Sequence, residues 1–147
     1  IPKRDWSSDV CSSDLGAIAR LGRTGFPHLT SATGGTIDIV TGATQPGFNP
    51  IDLLYASLAS CMAMSARIAA SRMGMLDQVG NISVAVCGNK AEENGRSRIA
   101  GFHVTFSIDG DIDEEAKRTI VDEAEKICTV SNTLASGPAM EVRISGA

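Results

Sequence analysis

Four cysteines, Cys11, Cys61, Cys87 and Cys128, are the residues of this sequence best suited to chemistry. A cysteine thiolate can attack an electrophile or bind a metal, whereas a cysteine buried as the neutral thiol is most often an inert small hydrophobe. Cys61 falls in the middle of a predicted helix, and Cys128 falls where another predicted helix ends. Cys87 ends a predicted strand and has nothing to distinguish it. Spacing and burial alone favour the inert role for each of these three.

Metal and hydrolase chemistry are both disfavoured by the pattern of residues. His28 and His103 could join the cysteines as ligands, but the spacings match no zinc motif and His103 falls on the polar side of its strand. A Ser-His-Asp hydrolase is disfavoured because no GxSxG motif occurs and two histidines offer little choice of base. Gly34-Gly35 fits a plain turn better than a phosphate-binding loop. We therefore expect no metal and no cofactor.

A long helix is expected to carry Cys61. Asn49 can cap its start, Pro50 suits the first turn and Gly74 suits the end, so the helix should run from about Ile51 to Met73. It is apolar on most sides, which is typical of a central, buried helix. Its small residues would let another helix or a sheet approach closely. One face of this helix should carry the residues spaced by four and three, namely Leu54, Leu58, Cys61, Ser65 and Ile68.

The remaining elements predict an α+β fold. Acidic residues at 113–115 favour the start of a second helix, which should end near Cys128 and be followed by a short helical turn at 129–134. Alternation of apolar and polar residues predicts strands at 36–40, 82–86, 99–108 and 140–144. The strands at 82–86 and 99–108 are expected to form an antiparallel hairpin with one buried face.

Charge and composition narrow the classes of partner. The chain has 147 residues, within the range of one domain, and its net charge is −4 with no run rich in Lys or Arg. Nucleic acid and anionic membrane are therefore poor partners. The longest stretch without charge, 14 residues from Leu53 to Ala66, is too short to span a bilayer, which takes about 20. The absence of a CxxC pair and of a small disulfide framework favours a cytoplasmic chain with reduced thiols.

Residues 1–15, which read IPKRDWSSDVCSSDL, are unlike the rest of the chain. From Asp5 onward this stretch has neither helical nor strand periodicity, and its back-translation matches a common short-read sequencing adapter in one reading frame. We therefore predict that residues 1–15 are translated adapter, the alternative being a genuine linker rich in Ser and Asp. On this interpretation residues 16–147 form a single domain, and Trp6 and Cys11 play no part in it.

Two motifs together resemble the OsmC/Ohr family. They are NPIDLLYASLASCMAMSARIAA at 49–70, with a cysteine on the central helix, and EKICTVSNTL at 125–134, with a cysteine after the late helix. The two cysteines are 67 positions apart, and the resemblance extends from Arg20 to Ile144 in the family's order of elements. It implies an OsmC-like fold, in which antiparallel sheets wrap around a long central helix. It also implies an intertwined homodimer with two active sites at the interface.

The resemblance also implies an activity, the thiol-dependent reduction of hydroperoxides, with organic ones preferred in the Ohr branch. Cys61 would be the peroxidatic thiol and Cys128 the resolving thiol. A thiol buried among apolar side chains needs a nearby cation, because desolvation raises its pKa. The family supplies an Arg from its N-terminal hairpin, for which Arg23 in LeuGlyArgThrGly at 21–25 is the candidate and Arg20 the second choice. A dithiol of the lipoyl or thioredoxin type would reduce the disulfide.

One departure from the family pattern leaves a second function open. In the Ohr branch an acidic residue directly follows the loop proline and orients the arginine, but here Ile51 occupies that position and Asp52 comes next. One step along a helix turns a side chain by about 100°, so Asp52 either plays this role with altered geometry or only favours the helix start. The alternative function is a non-catalytic dimer that binds a small apolar ligand between its helices. Ile51 and the Met-rich stretch from Met62 to Met75 motivate that alternative.

Overall fold

The computed structural model of the protein describes residues 16–42 and 44–146. These residues fall into two compact units, one ending at Leu53 and the other beginning at Leu54. The interpretation of residues 1–15 as translated adapter concerns positions outside the described residues. The assignment of 16–147 to a single domain stays a prediction.

The first unit contains a three-stranded antiparallel sheet. Its strands are β1 (Ala17–Arg20), β2 (His28–Ser31) and β3 (Thr36–Asp38), in the order β1-β2-β3. The β2–β3 turn is closed by the Ser31 side chain, whose oxygen accepts the Gly35 amide at 2.9 Å. The prediction of a strand at 36–40 is confirmed for its first three residues. Beyond them, Ile39 makes a single parallel bridge with Phe48.

Helix α1 (Pro50–Arg72) has the start and end that its sequence predicts. The Asn49 side chain accepts the Asp52 amide at 2.8 Å, and the Asp52 carboxylate accepts the Asn49 amide at 3.0 Å. This is the reciprocal arrangement of a capping box, which satisfies two amides that the helix itself cannot pair. Gly74 follows the helix with φ +70°, a conformation that a side chain disfavours.

The buried face of α1 differs in part from the predicted one. Leu58 and Ser65 are buried as expected, but Ile68 is 40% exposed. The buried side instead includes Ala66, Ala69 and Ala70, which pack against residues of the β-sheet and of the following helix, Ile108, Ile120 and Ala124. Small side chains let these elements approach closely, as the sequence indicated. The prediction that α1 is buried on most sides is wrong for the isolated chain, because Met64 is also 58% exposed.

By length and composition, α1 is the one helix in the described part of the chain that could cross a membrane, with a mean hydropathy of 1.4. The central helix of a soluble protein meets the same criteria, so this property is weak evidence for a membrane span.

The second unit is built on a long antiparallel hairpin of β4 (Val79–Glu93) and β5 (Arg96–Gly110). Both strands are longer than the predicted 82–86 and 99–108, because the polar run between them continues the pairing to the hairpin tip. Only Asn94 and Gly95 form the turn, and both have positive φ, as a two-residue hairpin turn of the favoured twist requires.

A glycine on β4 lets the first turns of α1 pack closely against this hairpin. The Tyr55 ring meets the Phe102 ring edge to face, with centroids 6.2 Å apart and planes at 85°. A side chain at Gly88 would place its Cβ 2.8 Å from the Tyr55 hydroxyl and 2.8 Å from Ile99. Because packed interiors tolerate added methyl groups poorly, Gly88 is required for this contact.

Two helices follow the hairpin, as predicted. Helix α2 (Glu114–Ile127) is capped by Asp113, whose carboxylate accepts the Ala116 amide at 2.8 Å. Helix α3 (Thr129–Ser136) begins directly after Cys128 and ends at Gly137 with φ +59°.

The strand predicted at 140–144 is wrong for the isolated chain. The structure has no strand there, and Met140, Val142 and Ile144 are almost fully exposed. Their alternation favours a strand, but a strand needs a neighbouring backbone to pair with. Within the described residues the segment is not assigned to either sheet.

Candidate active site

Cys128 lies at the junction between α2 and α3 and closes both helices. Its amide donates to the Ala124 carbonyl at 2.9 Å, which ends α2. Its sulfur accepts the Ser131 amide at 3.3 Å, which caps the start of α3. The Asn132 side chain donates to the Lys126 carbonyl at 3.0 Å and ties the two helices together. These bonds fix the position of a sulfur atom that is fully buried.

The fold brings Cys61 and Cys128 into contact. Cys61 lies in the middle of α1 and packs against the cluster formed by Leu58, Met62 and Cys128. The Cys128 thiol donates a hydrogen bond to the Cys61 sulfur. Both thiols are free, and Cys61 is partly buried where Cys128 is fully buried. The two cysteines of the sequence motifs therefore form a direct pair.

The surroundings of Cys61 favour its ionised form. Burial is the largest single effect and by itself raises the pKa of the thiol, but four hydrogen-bond donors oppose it and together lower the pKa below its ordinary value. Two of these donors are the backbone amides of Val130 and Thr129, the first residues of α3. A helix N-terminus stabilises a nearby anion through such unpaired amides. The other two are the Cys128 thiol and the Ser65 side chain.

The surroundings of Cys128 favour its neutral form. Burial, and then the hydrogen bond that its thiol donates to Cys61, raise the pKa of Cys128, while the Ser131 and Val130 amides oppose this increase. Repulsion from a charged Cys61 raises the pKa further. The pair is thus asymmetric, because the pKa of Cys61 is lowered and the pKa of Cys128 is raised.

A groove of about 580 Å³, lined mostly by apolar residues, lies beside the cysteine pair. Leu58 and Met62 of α1 line it and also belong to the cluster around Cys128. Strand β5 contributes Phe102, Val104 and Phe106, and α3 contributes Leu134. Arg98 and Glu125 are the charged residues of the lining. The groove has the size expected for a small molecule, and its surface combines apolar side chains with polar groups.

Arg23 and Asp52, the other two predicted site residues, belong to the first unit, whereas the cysteine pair belongs to the second. Arg23 is exposed in the segment between β1 and β2, and Arg20 is exposed on β1, opposite His28. Asp52 uses one carboxylate oxygen to cap α1. The structure therefore gives Asp52 a role at the helix start, while the predicted roles of Arg23 and Asp52 at the thiol stay predictions.

Cys87 and the two histidines lie elsewhere. Cys87 is exposed on β4 opposite His103, and the His103 ring is 3.0 Å from the Asn89 side-chain nitrogen. His28 pairs with Asp38 across β2 and β3 at 2.6 Å. In residues 16–42 and 44–146, no group of three or more His, Cys, Asp or Glu side chains is arranged to hold a metal ion.

Sequence reasoning missed Ser65 and the α3 amides as partners of the Cys61 sulfur. Ser65 was placed on the same face as Cys61, four positions further along the helix, and this spacing was the available signal. The position of the α3 amides depends on the junction at Cys128. No local pattern predicts the direction in which that junction points the second helix.

The fold and the cysteine pair define an α+β protein with a buried, asymmetric dithiol site. Residues 42–143 match the family model described as OsmC-like protein. The match covers more than half of the chain, so this protein belongs to the OsmC-like family.

Solved structures and a curated relative agree with this assignment. The organic hydroperoxide resistance protein OhrB of Bacillus subtilis is 27% identical, with a TM-score of 0.62 over 84% of this chain and 91% of that one. An OsmC-like protein from Mycoplasma pneumoniae has a TM-score of 0.71 and 19% identity, over 84% of this chain and 88% of that one. An uncharacterized protein of Methanocaldococcus jannaschii is 29% identical over 97 residues, 63% of this chain and 48% of its own length. This chain thus spans about half of that relative. The predicted OsmC-like α+β fold is confirmed.

The asymmetry of the pair predicts that the two thiols react at different pH. In a variant with Cys11→Ser and Cys87→Ser, we expect iodoacetamide to modify Cys61 at lower pH than Cys128, because the thiolate is the reacting species. Peptide mapping by mass spectrometry at a series of pH values gives the midpoint for each thiol. The Cys61 midpoint should lie below that of a free cysteine and the Cys128 midpoint above it. Equal midpoints, or earlier modification of Cys128, would contradict the assignment.

Proposed function

We propose that this protein is a thiol-dependent peroxidase that reduces organic hydroperoxides, with Cys61 as the peroxidatic thiol and Cys128 as the resolving thiol. The observation that carries the proposal is the contact between the two sulfurs, one with a lowered pKa and the other with a raised pKa. A peroxidase of this kind needs a thiolate to attack and a thiol held ready beside it. The relation to OhrB of Bacillus subtilis, an organic hydroperoxide resistance protein, supports this function.

The reaction proceeds in two steps whose atoms and electrons balance. The Cys61 thiolate attacks the terminal peroxide oxygen, the O–O bond breaks, and Cys61 becomes a sulfenic acid while the alkoxide takes a proton and leaves as an alcohol. Cys128 then attacks the Cys61 sulfur, the S–O bond breaks, and a disulfide and water form. The Cys128 thiol supplies one proton for that water.

The apolar groove supports an organic substrate over hydrogen peroxide. Its lining includes Leu58 and Met62, which also pack against the cysteine pair, so an alkyl or aryl group in the groove would lie next to the reacting sulfur. Burial of that group stabilises the complex by roughly 25 cal/mol for each Å² of apolar surface. Hydrogen peroxide has no such group to bury.

We further propose a dithiol of the lipoyl or thioredoxin type as the reductant, acting in the cytoplasm. Reduction of the Cys61–Cys128 disulfide takes two electrons, and a dithiol delivers both by exchange through a mixed disulfide. Cys61 is the partly exposed member of the pair, so its sulfur is the accessible point of attack.

A second candidate function is the binding of a small apolar ligand without catalysis. The groove of about 580 Å³ favours it, and so does the use of Asp52 to cap α1. In this case Cys61 and Cys128 would be packing residues, and both would be inert toward peroxide.

Thiol counts before and after treatment with excess cumene hydroperoxide distinguish the two functions. In a variant with Cys11→Ser and Cys87→Ser, we expect peroxide to remove both remaining thiols, because the sulfenic acid at Cys61 condenses with Cys128. Addition of Cys61→Ser should leave Cys128 unreacted. Addition of Cys128→Ser should instead leave a sulfenic acid at Cys61 that dimedone traps. If both thiols survive in folded protein, the peroxidase function is wrong and the ligand-binding function is favoured.

We propose that Arg23 supplies positive charge to the Cys61 site and that Asp52 orients it through its second carboxylate oxygen. The resemblance to the family supports this assignment, and the exposed side chain of Arg23 is available for it. We expect Arg23→Ala to slow the oxidation of Cys61 by cumene hydroperoxide about tenfold, equivalent to about 1.4 kcal/mol. Stopped-flow measurement of the rate at neutral pH checks this. Arg20→Ala tests the second choice, and a loss of rate in that variant alone would assign the role to Arg20. Equal rates for Arg23→Ala and the unsubstituted protein would contradict the assignment.

We also propose that the protein is a homodimer, as the family resemblance implies. Two apolar surfaces of the chain support this. One is the face of α1 with Met64 and Ile68, and the other is the alternating segment at 140–144. Exposed apolar side chains in such number are typical of a protein interface. The segment at 140–144 also has the pattern of a strand, so it could pair with a strand of the second copy.

The dimer predicts a change in molecular mass when the segment at 140–144 is made polar. We expect the unsubstituted protein to have the mass of a dimer at micromolar concentration by light scattering after size exclusion. Val142→Lys with Ile144→Lys should shift it toward the monomer, because the charged side chains cannot be buried in the interface. Ser145→Lys introduces the same lysine at the next position, outside the apolar alternation, and should leave the dimer intact. A monomeric unsubstituted protein would exclude the proposed assembly.

A further inference from the structure

Among the residues that the structure describes, Ser65 is the buried polar residue, and it is 3% exposed. It lies four positions after Cys61 on α1, so the two side chains share one face of the helix. A hydroxyl buried without a hydrogen bond destabilises the folded state, so a buried serine needs a partner.

Ser65 differs from two exposed serines on the same helix, whose hydroxyls bond to backbone carbonyls. Ser57 and Ser60 donate to backbone carbonyls of their own helix, those of Leu54 and Ala56, both at 2.8 Å. This is the common bond for an exposed serine in a helix interior. The buried Ser65 side chain instead lies on the face of Cys61, one helical turn further along, and as a hydrogen-bond donor it lowers the pKa of the Cys61 thiol.

The bond from Ser65 is worth more when Cys61 is ionised. A hydrogen bond to a charged acceptor is roughly twice as strong as one between neutral groups, and the difference grows where water is excluded. The alternative donors, Val130, Thr129 and Cys128, approach Cys61 from the α2–α3 side of the site. Ser65 is the donor that α1 itself provides, so its position relative to Cys61 is set by one turn of a single helix.

We propose that Ser65 is a positioning residue that holds the Cys61 sulfur in its ionised form by donating a buried hydrogen bond from the same helix. Its consequence for peroxide reduction rests on the proposed function. The bond itself does not, since it concerns the ionisation of Cys61 alone. Ser65 acts through Cys61, and the proposal requires no contact between Ser65 and the peroxide.

The test is to titrate Cys61 in the full chain with Cys11→Ser, Cys87→Ser and Cys128→Ser, by the ultraviolet absorbance of the thiolate. We expect Ser65→Ala to raise the Cys61 midpoint and to slow its reaction with cumene hydroperoxide about tenfold at neutral pH. The rates with and without Ser65→Ala should converge at high pH, where Cys61 is fully ionised in both. Ser60→Ala, which removes an exposed hydroxyl from the same helix, should leave midpoint and rate unchanged.

A matched pair of variants at Ser65 distinguishes the effect of the hydroxyl from the effect of side-chain shape. The same pair tests the proposal if Ser65→Ala does not fold. Ser65→Thr keeps the hydroxyl, and Ser65→Val replaces it with a methyl group of similar size. We expect the Thr variant to retain a low midpoint and the Val variant to lose it. Equal midpoints for Thr and Val, or for Ser and Ala, would overturn the proposal. If Cys61 titrates as expected but never reacts with peroxide, the proposed function fails while the role of Ser65 stands.

Discussion

The site depends on hydrogen bonds that lower the pKa of a thiol inside an apolar cluster. Leucine, methionine and valine side chains around Cys61 remove water, and by this alone they would keep the thiol protonated. Hydrogen-bond donors replace the lost water from two directions, from α3 and from α1. The donors that α3 and α1 provide are amides at a helix start and a buried hydroxyl, and these groups carry only partial charge.

The junction at Cys128 explains why the second cysteine differs from the first. One residue ends α2, begins α3 and presents a thiol to Cys61, so its geometry is fixed by backbone hydrogen bonds on both sides. The same residue also sets the position of the α3 amides beside Cys61. Displacement of this junction would therefore affect both sulfurs at once.

Much of this architecture could be predicted from the sequence, since its signals are local. Asn49, Pro50 and Gly74 mark the ends of α1, and Asp113 with the acidic residues after it marks the start of α2. The two cysteine motifs, by resemblance, paired Cys61 with Cys128 across 67 residues. The predictions that were wrong are those that depend on what each segment packs against. Exposure of Ile68 and the missing strand at 140–144 depend on neighbours that local patterns do not contain, and the extent of β4 and β5 depends on cross-strand pairing.

The donors around Cys61 have a consequence for the energetics of a catalytic cycle. Every bond that stabilises the thiolate stabilises the reduced state, and a disulfide sulfur is a poorer acceptor for the same amides and hydroxyl. The disulfide between Cys61 and Cys128 should therefore have a relatively high reduction potential, as in oxidoreductases whose reduced thiolate is stabilised. A mild dithiol would then suffice to reduce the proposed disulfide. The α3 N-terminus would thus contribute to both halves of the proposed cycle, the reactivity of the thiol and the ease of its regeneration.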